Sequence, residues 1–218
     1  MTTATLDLRR PIMVVTGLFN PAIFNPQWCA RHIFDIPSGE TINIAIGDGI
    51  GTNGAVAFIR KVGWSVNPMR LEIYVADDDP ETATAAESFV QKVFAILPHT
   101  PFGALGLNIA ISQQEAADNI ADLFASNEGI ESEYEILSQT VKHSLQVNDD
   151  FVLNVERMLD NSGFFVALNY HLEDINTVNV SELTSGAISK YLEHAKTFCG
   201  QFYGIDSLLI EKMVLPEM

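Results

Sequence analysis

The chain has 218 residues, of which 47% are hydrophobic and 18% charged, so it holds enough apolar side chain for a sizeable core, and extended disorder is excluded. Its formal net charge is -16, with 10 acidic and 7 basic residues in 1–100 against 18 and 5 in 101–218. Such a field repels phosphate backbones and argues against direct binding of DNA or RNA.

No apolar run reaches the roughly 20 residues of a membrane span, and the apolar stretch after Arg9 and Arg10 is too short for a signal peptide. Cys29 and Cys199 lie far apart within apolar patterns. They read as buried free thiols of a cytoplasmic protein.

In chain order, residues 11–19 read as a first strand, interrupted by Pro21 and Pro26. A short helix follows, with Asn25 as N-cap and Pro26 at its first position. Residues 41–46 alternate as a strand, and a glycine-rich loop leads into a single strand over 55–66, which Pro68 ends. Residues 69–76 alternate cleanly. The next helix takes Asp79 as cap, Pro80 at N1, and Ala86, Phe89, Val90, Val93, Phe94 and Leu97 at helical spacing. Pro98, His99, Thr100 and Pro101 form a joint, so His99 is a turn residue rather than a chemical one.

Beyond the joint, Leu105, Leu107, Ile109 and Ile111 alternate with Gly106, Asn108 and Ala110, giving a strand with one bulky and one slim face. Residues 113–126 read as a helix that buries Ile120, Leu123 and Phe124. Residues 134–147 read as a strand, and 151–159 with 163–173 as a hairpin around "DNSG". A last long helix spans 181–203, capped by Ser181, with Ile188, Tyr191, Leu192, Ala195 and Phe198 on its apolar stripe.

Laid side by side, residues 1–100 and 101–218 follow one element order: strand, helix, strands, long helix. The expected fold is α+β, a pseudo-twofold duplicated unit forming one compact domain, with a mostly antiparallel sheet backed by two long helices. This order is similar to the duplicated saddle of the TATA-box-binding protein. The acidic charge argues against the same function.

Gly49, Gly51 and Gly54 fit G-x-G-x-x-G after a strand. The segment before Gly63 is too short and too β-branched for the crossover helix a dinucleotide site needs. A hairpin loop and no cofactor are expected. Asp77, Asp78 and Asp79 precede Pro80, which makes capping a better account than cation binding. Cys29 and His32 stand at i, i+3, where a helix would place both on one face. One pair does not make a zinc site, so no metal is expected. Nucleophile and phosphate-loop motifs are not found, and no catalytic residue is assigned.

Two surfaces remain. Strand alternation turns Arg70, Glu72 and Tyr74, and Asn169, His171 and Glu173 with Phe165, away from the helices, onto one sheet face that could bind a partner or ligand. Glu115, Asp118, Asp122, Glu128, Glu131, Glu133 and Glu135 fall in a stretch without Lys or Arg between Lys92 and Lys142, a docking face for a basic surface. The expected function is a non-catalytic, self-associating interaction or assembly subunit. The alternative is a small-molecule-binding domain or enzyme with a pocket between the sheet and the last helix, near Tyr74, His171 and Glu173.

Overall fold

The computed structural model describes residues 3–47, 56–114, 120, 123–124, 135–148, 151–173, 175, 180–210, 212–213 and 215. The fold is α+β. Among the described residues its sheet is antiparallel except for one edge pair, and its helices are few.

The slim-and-bulky strand is β7 (Phe102–Gln113), at the middle of the sheet. Leu105, Leu107, Ile109 and Ile111 are all at most 2% exposed, and the same alternation buries Phe164, Val166, Leu168 and Tyr170 on β10 (Gly163–Glu173). β7 pairs with β10 along ten residues, from Phe164↔Gln113 to Glu173↔Ala104. On its other flank it pairs with β2 (Met13–Gly17), through Met13↔Leu107 and Val15↔Leu105. Outward from β2 come β6 (Arg70–Val75), β5 (Val62–Asn67), β4 (Val56–Ile59) and β3 (Ala45–Gly47). Outward from β10 come β9 (Val152–Asp160) and β8 (Ser138–Gln146). One continuous sheet therefore runs through both halves of the chain.

The helices cover one face. α1 (Pro26–His32) is capped by Asn25, whose side chain accepts from the Trp28 N–H at 3.0 Å. α2 (Pro80–Ile96) is capped by Asp79 and packs its buried Phe89, Val90, Val93 and Phe94 against β5 and β6. His99 lies exposed in the turn between α2 and β7, where the Thr100 N–H reaches the Leu97 carbonyl at 3.0 Å.

Four expectations need correction. Residues 55–66 are not one strand but the hairpin β4–β5. Arg60 and Lys61 turn it with φ of 50° and 69°, the pair of positive values a tight hairpin turn demands. The 41–46 strand shrinks to β3. The helix expected from Gln113 cannot begin there, because Gln113 still belongs to β7. Ile120 and Phe124 are buried and Leu123 half-buried, as the stripe requires; the rest of 115–126 lies outside the described residues.

The last helix breaks into α3 (Val180–Thr184) and α4 (Ala187–Tyr203) at Gly186, φ 68°. Ser181 sits exposed inside α3 and does not cap α4. Glu87 of α2 does so instead. One carboxylate oxygen accepts from the Gly186 N–H and the other from the Ile188 N–H, both at 2.8 Å. Gln91 adds a bond to Thr184 Oγ1 at 3.0 Å. β1 (Thr3–Leu6) and β11 (Ser207–Ile210), not anticipated as strands, form the parallel edge pair beside the far end of β7.

Among the described residues no helix is long and apolar enough to cross a membrane. Cys29 and Cys199 are free and buried, and burial pushes each thiol up to about 12.

Candidate functional site: the sheet face away from the helices

Register puts the six singled-out side chains on one face. Glu72 pairs with Val14, Val14 with Gly106, and Gly106 with His171, so the two lie in one cross-strand row with small residues between them. Asn169 and Glu173 flank His171 on β10, and Arg70 and Tyr74 flank Glu72 on β6. Tyr74, His171 and Glu173 thus face away from α4 and do not line a pocket beneath it. The sheet–helix space there is filled by Tyr170, Tyr191 and Cys199, and the Tyr170 hydroxyl meets His194 Nδ1 at 2.8 Å.

The face differs between the halves. On β6, Glu72 is 0% exposed, held by Arg70 Nε at 2.8 Å and by the Tyr74 hydroxyl, which donates to Glu72 Oε2 at 2.7 Å. Burial pushes the Tyr74 phenol well above its usual value. The bond to Glu72 and that carboxylate's charge add to the rise, and Arg70 partly offsets it. Tyr74 packs with Phe58, Val56 and Ala45, and Met213 and Leu215 of the C-terminal segment lie against this cluster. The Met213 N–H also reaches the Ala76 carbonyl at 2.8 Å.

On β7–β10–β9–β8 the face is half-exposed and carries a chain of polar groups that the sequence did not reveal. Ser144 Oγ donates to Asn154 Oδ1 at 2.7 Å, Asn154 Nδ2 to Asn169 Oδ1 at 3.3 Å, Asn169 Nδ2 to Asn108 Oδ1 at 2.7 Å, and Asn108 Nδ2 to the Pro11 carbonyl at 3.2 Å. Gly106 makes room for it: a Cβ there would stand 2.8 Å from Asn169 Nδ2. Alternate-position asparagines in three strands were the available signal, and only pairing register converts that signal into a row. Around the row lie half-buried Val152, Met158, Phe165 and Ala167. Arg10 stacks on Phe165 at 4.4 Å, Lys142 pairs with Glu156 at 3.0 Å, and His171 Nε2 lies 3.4 Å from Glu173.

Of the acidic stretch, only Glu135 is among the described residues, where it is exposed. Glu115, Asp118, Asp122, Glu128, Glu131 and Glu133 lie outside them, as do Gly49, Gly51 and Gly54. The aspartate run has internal partners. Asp79 caps α2, and buried Asp77 pairs with Lys61 at 2.7 Å. Burial would raise Asp77; hydrogen bonds from Lys61, Thr82 and the Asp79 backbone outweigh it and hold the carboxyl below its usual value.

Cys29 and His32 differ in burial. Cys29 is fully buried, and His32 is exposed against the Trp28 ring at 5.1 Å. Among the described residues no three His, Cys, Asp or Glu converge as a metal site. A shallow groove of about 340 Å³ runs between α1 and residues 36–42, lined by Trp28, Arg31, Ile36 and Ile42, with Arg31 tied across it to Ser38 at 2.8 Å.

Compared with protein families, curated proteins and solved structures, the chain gives no match in any of the three.

Proposed function

We propose that this chain is a non-catalytic, cytoplasmic interaction or assembly subunit that docks a protein partner with a basic surface and also self-associates. One observation carries the reading: the half-exposed sheet face of β7–β10–β9. It mixes Val152, Met158, Phe165 and Ala167 with amides, and at its β8 margin Lys142 and Glu156 pair with each other at 3.0 Å. Aromatic, Met-containing surface with few unpaired charges is the composition of interface cores. The net charge of -16 favours a basic partner and speeds encounter with it. The two reduced thiols suit a cytoplasmic setting.

The same reading includes an internal duplication of residues 1–100 and 101–218 with a saddle-like topology. What supports it is the strand order. Outward from the β2–β7 pair come β6, β5 and β4 on one side and β10, β9 and β8 on the other.

The test uses tagged full-length chain, with partners captured from its host and binding then measured on the purified pair. Ala167→Arg puts a bulky cation in the middle of the face and should abolish binding without changing the circular dichroism spectrum. Replacing Glu128, Glu131, Glu133 and Glu135 by glutamine should slow association and flatten its salt dependence. A partner that binds both variants at the wild-type rate refutes the proposal.

A further inference from the structure

The sheet has unequal edges. Among the described residues, β3 ends one side with three residues and β11 another with four, whereas β8 presents nine, about 30 Å of strand, and no strand pairs with its outer side. Proteins keep free edges short, charged, covered or bulged, because unpaired N–H and C=O groups recruit other strands. β8 carries a single charge, Lys142, and Glu156 of β9 already holds it at 3.0 Å. Leu145, on its helix-side face, is 40% exposed, and Leu137, immediately before the strand, is 63% exposed.

We propose that β8 pairs antiparallel with β8 of a second copy across a two-fold axis at Val141, joining two sheets into one. The proposal rests on the self-association reading above and gives it a surface.

The strand's own sequence selects both occupant and register. With the axis at Val141, position 137 opposes 145, 138 opposes 144, 139 opposes 143 and 140 opposes 142. On the helix-side face this matches Leu137 with Leu145, Gln139 with His143, and Val141 with itself. On the other face it matches Ser138 with Ser144 and Thr140 with Lys142. Two exposed leucines on each copy are thereby covered, and no like charges meet. A shift of one residue, to an axis at Lys142, puts two ammonium groups opposite one another and sets Gln139 against Leu145. Directly opposed side chains sit about 5 Å apart, where apolar pairs stabilise a sheet and like charges destabilise it. An isologous contact of this kind closes on itself and stops at two copies.

The experiment is sedimentation velocity on the full chain over a concentration series, with circular dichroism as the folding control. Wild type should reach twice the 24.0 kDa chain mass. Leu137→Lys with Leu145→Lys opposes like charges at both ends of the pairing and should weaken dimerisation by about tenfold or more. Leu137→Glu with Leu145→Lys opposes unlike charges and should restore it, less so at high salt. Both positions are exposed in the single chain, so neither change disturbs its core. Val141→Cys should form an intermolecular disulfide on oxidation, the native thiols being buried. If the Lys/Lys variant dimerises like wild type, the copies meet elsewhere: the β8 pairing is overturned while self-association stands. A wild type that stays at single-chain mass throughout overturns both.

Discussion

Glu87 is the perturbation that best tests how the layers are held together. Its side chain is buried within α2, and its two oxygens take the Gly186 and Ile188 N–H groups at 2.8 Å each. Gly186 has no side chain of its own with which to cap α4. A hydrogen bond to a charged group is worth about 1.5–3 kcal/mol, and the favourable end of the α4 dipole adds roughly 0.3–1 kcal/mol. Glu87→Gln keeps one acceptor and turns an NH₂ group toward the other N–H. It should cost about 2–4 kcal/mol, and Glu87→Ala, which leaves both donors without the carboxylate, somewhat more. Urea unfolding followed by circular dichroism and by the fluorescence of Trp28 and Trp64 measures the cost. The midpoint should fall with the slope unchanged. If both variants stay within about 0.5 kcal/mol of wild type, the N–H groups have water or other acceptors, and the carboxylate is not the cap.

Two glycines should respond unequally to alanine. At Gly163, φ is 126° and a Cβ would stand 2.1 Å from the Gln113 carbonyl oxygen, so Gly163→Ala should cost about 3 kcal/mol or more; at Gly186, φ 68° with open space around it, only the left-handed penalty of about 1–2 kcal/mol remains, and the reverse ranking in urea would refute the packing argument. Tyr74, Tyr170, Tyr203, Cys29 and Cys199 are all raised, chiefly by burial. Their stabilising contribution is therefore complete below the unfolded values, about 8.5 for thiols and 10 for phenols, and is lost as pH rises, at up to about 1.4 kcal/mol per pH unit for each group. Phenolate absorbance should show these tyrosines ionising only as the fold is lost; ionisation near pH 10 in the intact fold would contradict their burial.

What the sequence reveals follows the range of the forces involved. Period-two alternation exposes β7 and β10, because a strand buried on one face must alternate wherever it sits. The Asn-Pro and Asp-Pro pairs expose the starts of α1 and α2, because capping is settled within three residues. The β4–β5 turn escapes notice because Arg60 and Lys61 adopt φ values normally left to Asn and Gly. Gly63, just past that turn, is the seat for the Phe58 ring, whose nearest carbon lies 2.5 Å from where a Cβ would stand. Glu87 reads as an ordinary polar residue of a helix, since its partners stand 99 and 101 residues further on. Asn108, Asn154 and Asn169 read as scattered amides until register aligns them.

The side chains singled out on the sheet face divide by what covers them rather than by which way they point. Arg70, Glu72 and Tyr74 share the orientation of Asn169, His171 and Glu173, yet Glu72 and Tyr74 are fully buried in a region where Met213 and Leu215 pack against Tyr74 and its neighbours. A carboxylate taken out of water costs several kcal/mol unless its oxygens are satisfied, and Glu72 meets that demand with one cation and one hydroxyl. Moving this carboxylate toward a ligand would break its contacts with Arg70 and Tyr74. The accessible chemistry of the face then belongs to β7, β10, β9 and β8, where the asparagine row ties each amide to its neighbour and sets a rigid polar line between apolar flanks. The proposed edge pairing uses the same half of the sheet but runs in its plane, while docking on the face approaches along its normal. Neither event blocks the other, and a pair of copies would present two such faces on one side of a single sheet.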